Sequence, residues 1–490
     1  MPGVTYDLGL RYVLLAAAAV LAFGASLTHG FHFDDAALWA DPAVTGHGWS
    51  WLQTRPLTWL SFAVNYAIAG KAAWSYHGVS LLLHVAAVLV LFAVLRKLIA
   101  PQAAWLAALV FAIHPVQAEA VAYVFSRGTL LCTLLCLAAW WAWQRERGWL
   151  AVACFGLALA AKEECAAFPL FLAWLDWWRE RKIERRGPLA GMLLLALAAG
   201  LHVLMATKAV AHSGAGFSAG VTPLAYAWGQ GYAVLRYAAL VVVPYGFTID
   251  PELPASNWWL GGAWVVLIGL VAAALRGYRS WPATAWFLGG LLLLLPSSSI
   301  FPAADLAADH RLYLPMVALA AGIGVALQPL WVRGPAGRVL LGAGAVALLG
   351  ICWMRMAVWS SERALWSEAV ARAPHKWRPL VQLSRVAEPA EALALLQRAQ
   401  HLAPQEAAVA SEEGRVYLQM GLPGDALRAF GEALARDPGE PHALNNRGVA
   451  LKALGQGAAA RQDFERALQR DPCLADARVN LGLPPCATGR

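Results

Sequence analysis

The chain has 490 residues, of which 59% are hydrophobic and only 14% charged, with a formal net charge of +8. That balance excludes an ordinary soluble enzyme, whose charged share is about 25%. The surplus of base does not imply nucleic-acid binding, because Lys and Arg cluster in short loops between apolar runs, as in cytoplasmic loops of membrane proteins.

The first apolar run, 12–28, follows a lone Arg11. It reads as a permanent anchor, with a leader cleaved near Ser26 as the alternative. Directly after it come Phe31-His32-Phe33-Asp34-Asp35. A paired carboxylate just beyond a membrane helix faces the water layer where lipid head groups end. Asp34 is therefore the candidate base and Asp35 its partner, against the plainer reading of a solvated turn.

Further apolar runs follow at 78–95, 102–122, 129–143, 149–161, 165–178, 189–206, 258–275, 281–295, 312–330 and 339–356. A span needs roughly 17–25 apolar residues, so 149–161 and 165–178 are short. Charge places them nonetheless. Arg145 and Arg147 precede the two runs, and Arg179, Arg181, Lys182, Arg185 and Arg186 follow. Both clusters prefer the cytoplasm, so the two runs form a hairpin tipped by Lys162-Glu163-Glu164. Arg96-Lys97, Arg276, Arg279, Arg333 and Arg338 lie inside by the same rule. The expectation is an all-α polytopic domain of about eleven spans, with its N-terminus cytoplasmic and its C-terminus outside. Residues 224–243 carry Gln230 and Arg236 and are read as interfacial or re-entrant.

From about residue 380 the composition shifts to Ala, Glu, Arg and Gln. Pro404, Pro438 and Pro472 stand 34 apart, as do Gly414, Gly448 and Gly482, and Ala399, Ala433 and Ala467. Leu396, Phe430 and Phe464 keep the same interval. This is the tetratricopeptide period, two helices per unit stacking into a solenoid with a concave groove for a peptide or protein. The expected domains are 1–358 in the membrane, 359–380 as a linking or capping helix, and 381–490 as repeats. Cys473 and Cys486 pair if that end lies outside the cytoplasm.

Polar residues gather at the outer span ends: Arg55-Pro56-Leu57-Thr58, His84, His114-Pro115-Val116-Gln117-Ala118-Glu119, Ser126-Arg127 and Asp309-His310-Arg311. Ionisable groups at membrane depth are costly and point to function, although mutual pairing that holds helices together is the competing account.

In order, Arg55-Pro-Leu-Thr58, Tyr76-His77, Leu83-His84, Phe111-Ala-Ile-His-Pro-Val-Gln-Ala-Glu-Ala-Val121, Ser126-Arg127, Ala161-Lys162-Glu163 and Arg311-Leu-Tyr-Leu-Pro315 resemble the transmembrane and tetratricopeptide-repeat O-mannosyltransferases of the GT-C superfamily. This chain departs from the family pattern at Gly128-Thr129, where an acid follows Ser-Arg, and at His310, which intervenes between Asp309 and Arg311. The resemblance implies a membrane enzyme moving a sugar from a polyprenyl-phosphate carrier to a Ser or Thr hydroxyl of an extracytoplasmic protein. It implies Asp34 as base with Asp35 beside it, and Arg311, Arg127 and Lys162 on the donor phosphate. His114, Glu119, Arg55 and His310 support the acceptor side or brace the loops. No cofactor is required, since guanidinium can meet the leaving charge; a divalent ion held by His32, Asp34 and Asp35 is the alternative. Two other readings compete: a non-enzymatic membrane scaffold built on the repeats, and a GT-C enzyme acting on a lipid-linked glycan.

Overall fold

A computed structural model describes residues 3–39, 41–46, 48, 53–209, 221–254, 256–303, 305–484 and 486. The chain divides into two units, Met1–Ser361 and Glu362–Arg490.

The first unit is helical because its apolar runs satisfy backbone hydrogen bonds internally, the requirement lipid imposes. Among the described residues six helices are long and apolar enough to cross a membrane: Leu8–Thr28, Ala73–Leu95, Val124–Trp143, Arg186–Lys208, Asn257–Gly277 and Pro335–Val358. The pair Pro101–Ile113 and Pro115–Ala122, bent by 48°, makes a seventh when counted as one broken span. Gly148–Ala161, Pro282–Leu294 and Met316–Val332 are shorter apolar helices. Outward faces are apolar, with Leu194, Leu197, Val265, Val339 and Val346 exposed, which suits lipid rather than water.

Small residues set the closest packing. Gly324 lets Met316–Val332 lie against Pro101–Ile113, where a Cβ would collide with the Ala103 carbonyl oxygen. The bend at His114 follows from Pro115, which has no N–H to continue the helix. The hairpin around Lys162 joins Gly148–Ala161 to Phe168–Glu180, 14 and 13 residues long. At 1.5 Å per residue each arm is about 20 Å, short of a hydrocarbon core of about 30 Å.

One helix escaped the sequence reading. Pro56–Ala69 buries Thr58, Phe62 and Asn65 while the apolar Leu60, Val64 and Ile68 stay exposed. It starts at Arg55, whose φ of 62° is unusual for a side chain other than glycine.

The second unit is a stack of antiparallel helices: Glu362–Arg372, Trp377–Ser384, Pro389–Leu402, Ala407–Gln419, Pro423–Arg436, Pro441–Ala453, Gly457–Arg470 and Ala475–Asn480. The 34-residue columns have a direct physical cause. A Cβ on Gly414 would stand 2.8 Å from the Phe430 ring, and one on Gly448 would stand 2.5 Å from the Phe464 ring. Each aromatic fills the gap its partner glycine leaves. Cys473 and Cys486 are joined, with Cα atoms 5.2 Å apart.

Candidate active site

The first span ends in a tight turn, Gly24–Thr28, and the loop after it forms a second, Phe33–Trp39. These turns give the two neighbouring acids opposite environments. Asp35 is fully buried, accepting the His32 N–H at 3.0 Å and the Phe125 N–H at 2.8 Å. Burial pushes its carboxyl up to about 7, against the pull of those backbone donors, and the Asp34 charge adds to the rise. Asp34 is exposed and accepts the Tyr123 hydroxyl at 2.9 Å. Burial and the two aspartates push the Tyr123 phenol well up, so it remains a donor. Its ring stacks on Trp359 with centroids 5.7 Å apart. Asp35 thus braces the loop, and Asp34 is the carboxylate a substrate can reach.

Arg127 is placed beneath this loop and has no exposed surface. Its guanidinium donates to Asn65 Oδ1 at 2.9 Å, the Tyr76 carbonyl at 3.1 Å and the Ser61 carbonyl at 3.3 Å. It also lies 4.4 Å from the Phe62 ring centroid. Arg311 is half-buried and donates to the Tyr226 hydroxyl at 3.0 Å and to the carbonyls of Asp305, Leu306 and Ser297. Both arginines therefore hold protein groups in place. The spacing of charged residues along a chain does not disclose this, because the acceptors are backbone carbonyls.

Lys162 bonds Thr129 Oγ1 at 2.6 Å and Glu164 at 2.8 Å. Beside it Arg55 grips Glu163 with two bonds, at 2.9 and 2.5 Å. Burial pushes the Glu163 carboxyl up, but the adjacent guanidinium outweighs that and brings it to about 2. The pair holds the strained Arg55 backbone against the hairpin tip.

His114 caps the bent span, accepting the Val116 N–H at Nδ1 and lying 3.1 Å from the Val241 carbonyl through Nε2. The bend starts the short helix Ala118–Ala122, which connects two parts of the site. At one end Glu119 meets His310 Nδ1 at 2.5 Å. At the other, Tyr123 meets Asp34. Asp309 takes Arg236 at 2.6 Å and the Thr248 N–H at 3.2 Å, which ties Pro223–Val242 into the site.

Tyr123, Arg236 and Glu164 were not singled out in the sequence as site residues. Their partners lie far away in the chain (89 residues from Asp34 to Tyr123), beyond any local spacing cue. Among the described residues no three His, Cys, Asp or Glu side chains are arranged to hold a metal ion.

The arrangement offers an exposed carboxylate held by a phenol, with the nearby cations bonded to protein groups. Residues 56–205 match the family described as dolichyl-phosphate-mannose-protein mannosyltransferase, and residues 411–473 match the tetratricopeptide repeat. The human Protein O-mannosyl-transferase TMTC2 is 40% identical over 117 residues, 22% of this chain and 13% of that protein. The Protein O-mannosyl-transferase F38B6.6 of Caenorhabditis elegans is 26% identical over 75% of this chain and 58% of its own length. The crystal structure of ArnT from Cupriavidus metallidurans in the apo state aligns over 98% of this chain and 86% of that one, at 14% identity and a TM-score of 0.42. The chain spans little more than half the length of the worm relative.

Proposed function

We infer that this chain, which is similar to the transmembrane and tetratricopeptide-repeat O-mannosyltransferases in both its membrane part and its repeats, is itself a membrane glycosyltransferase. It moves a sugar, mannose or another hexose, from a polyprenyl-phosphate carrier to a Ser or Thr hydroxyl of an extracytoplasmic protein. The observation that carries this reading is the division of labour at the first outer loop: Asp35 buried and braced, Asp34 exposed and oriented by Tyr123.

In the proposed reaction Asp34 takes the proton from the acceptor hydroxyl as its oxygen forms a bond to the sugar carbon. The bond from that carbon to the phosphate oxygen breaks, and the carrier leaves as a phosphate monoester. Positioned general-base catalysis contributes about 10²–10⁴-fold. Lys162, which faces Glu119 and His310, is the cation proposed to favour the leaving charge, and no resident metal is proposed. Arg127 and Arg311 support the reaction by holding the loops in place.

The active site and the repeats are assigned to the outer side of the inner or plasma membrane, with the N-terminus cytoplasmic. Basic loops such as Arg179–Arg186 and Arg96-Lys97 favour the cytoplasm, and the Cys473–Cys486 bond favours an oxidising compartment for the repeats. The repeats carry a concave cavity of about 740 Å³ lined by Ser411, Arg415, Asp437, His442 and Asn446, which we assign to the acceptor protein.

The test is Asp34→Asn in the purified full chain, assayed for transfer from polyprenyl-phosphate mannose to Ser/Thr peptides. A loss of about 100-fold or more is expected. Undiminished transfer would remove Asp34 as base. A lipid-linked glycan product would redirect the reading to a glycan acceptor.

A further inference from the structure

The cationic side chains around the short helix Ala118–Ala122 each donate to a protein group, although single buried atoms such as Gln117 Oε1 and Arg127 Nε have no hydrogen-bond partner. Arg127 and Arg311 donate to protein oxygens, Lys162 to Thr129 and Glu164, and Arg236 to Asp309. His310 differs. Its Nδ1 lies 2.5 Å from Glu119, whereas its Nε2 makes no hydrogen bond within the described residues and its side chain keeps 22% exposure.

We propose that His310, held by Glu119, is the residue that binds the phosphate of the lipid-linked donor, donating a hydrogen bond from Nε2 to a phosphate oxygen. The assignment rests on the glycosyltransferase reading above and names the donor-binding group within it.

Two features place the phosphate here. Glu119 and Tyr123 are four residues apart, about 6 Å of helix rise. Tyr123 orients the proposed base, so base and phosphate ligand flank one turn of one helix. Second, the groups facing His310 suit a monoanion. Lys162 and Glu164 approach from the hairpin tip, and Arg311 and Asp305 from its own loop. Glu119 is itself faced by Arg236, Arg355, Asp305, Asp309 and Lys162. The positive and negative groups nearly cancel, so an added phosphate charge is met chiefly by hydrogen bonding.

The pair works as a donor only while it holds two protons, one between Glu119 and Nδ1 and one on Nε2. When one proton leaves, Nε2 turns a lone pair toward the phosphate. Burial lowers the His310 imidazole to about 3, with Lys162 adding to the effect, so the empty ring by itself is neutral. The second proton belongs to the pair as a unit.

The experiment measures the dissociation constant of polyprenyl-phosphate mannose, a phosphodiester with no second ionisation, on the full chain in nanodiscs between pH 6 and pH 9. Acceptor is left out. The wild type is expected to bind about tenfold more weakly at pH 9 than at pH 6, on the scale of one charge-assisted bond. His310→Ala should bind weakly and without pH dependence. His310→Arg, a permanent cation, should restore tight binding and stay flat across the range. An unchanged pH slope in His310→Ala, or wild-type affinity in that variant, overturns the assignment. So does a wild type that binds no donor at any pH. A wild type that binds with the expected slope yet transfers nothing to Ser/Thr peptides overturns the reaction and leaves the phosphate site standing.

Discussion

Two adjacent aspartates differ in role because one turn of backbone points them into different media. Asp35 loses water and gains two N–H donors, whereas Asp34 keeps water and gains a phenol. Asp35→Asn would set an amide against one of those donors, a cost of about 1–3 kcal/mol, measurable as a lower melting temperature. The pH dependence has a definite sign. A carboxyl raised to about 7 on folding holds its proton more firmly in the native state, so its contribution is complete below about pH 4. It is lost as pH rises toward 7. The size is on the order of 4 kcal/mol. Thermal melts of wild type and Asp35→Asn between pH 4 and pH 8 should differ in slope, and parallel curves would refute the assignment. Arg127 belongs to the same scale. Replacing it with Lys leaves planar acceptors unmatched, so stability should fall well before donor affinity changes.

Among the elements, the bent helix pair and the short hairpin determine where the candidate site sits. Pro115 breaks the helix and His114 supplies the bonds that the break would otherwise leave open. His114→Ala should cost about 1–3 kcal/mol by exposing the Val116 N–H and the Val241 carbonyl, with the loss seen in heat denaturation. Arg55 bears a left-handed backbone that pairing with Glu163 holds in place. Glu163 is held down to about 2, so its contribution is present above about pH 4 and disappears as pH falls toward 2. Glu163→Gln should release the hairpin tip, raising hydrogen exchange at 161–166 while the repeats remain protected. Equal exchange in both proteins would show that the pair is not what holds the tip. The helix Pro56–Ala69 escaped the sequence reading because its apolar positions are interrupted by polar ones. Its run never reached the length or purity of a span.

For the whole molecule, the proposed acceptor depends on the side of the membrane each unit occupies. Added protease should cut residues 362–486 in right-side-out vesicles and leave them intact in inverted ones, and the reverse pattern would remove the extracytoplasmic acceptor. Gly448→Leu should disrupt the repeats, since even a Cβ there meets the Phe464 ring. Faster proteolysis of the second unit with unchanged donor binding would mark the two units as separable in function.

The amino-acid sequence by itself determined what depends on composition and period. Apolar run length required membrane helices, the 34-residue columns required stacked helix pairs, and charge clusters ranked the loops. Each of these is a local property, or a repeated one, and survives without knowing which helix touches which. It also placed Asp34, Asp35, Glu119, Lys162 and His310 at span ends. Only the tertiary structure decided which of them stay exposed and which are bound to the protein. It buried Asp35, directed the donors of Arg127 and Arg311 to carbonyls and left His310 Nε2 open. The reason is that a charged side chain at membrane depth must find a partner. That partner is set by contacts between residues far apart in the chain, as Asp34 finds Tyr123 and Glu119 finds His310.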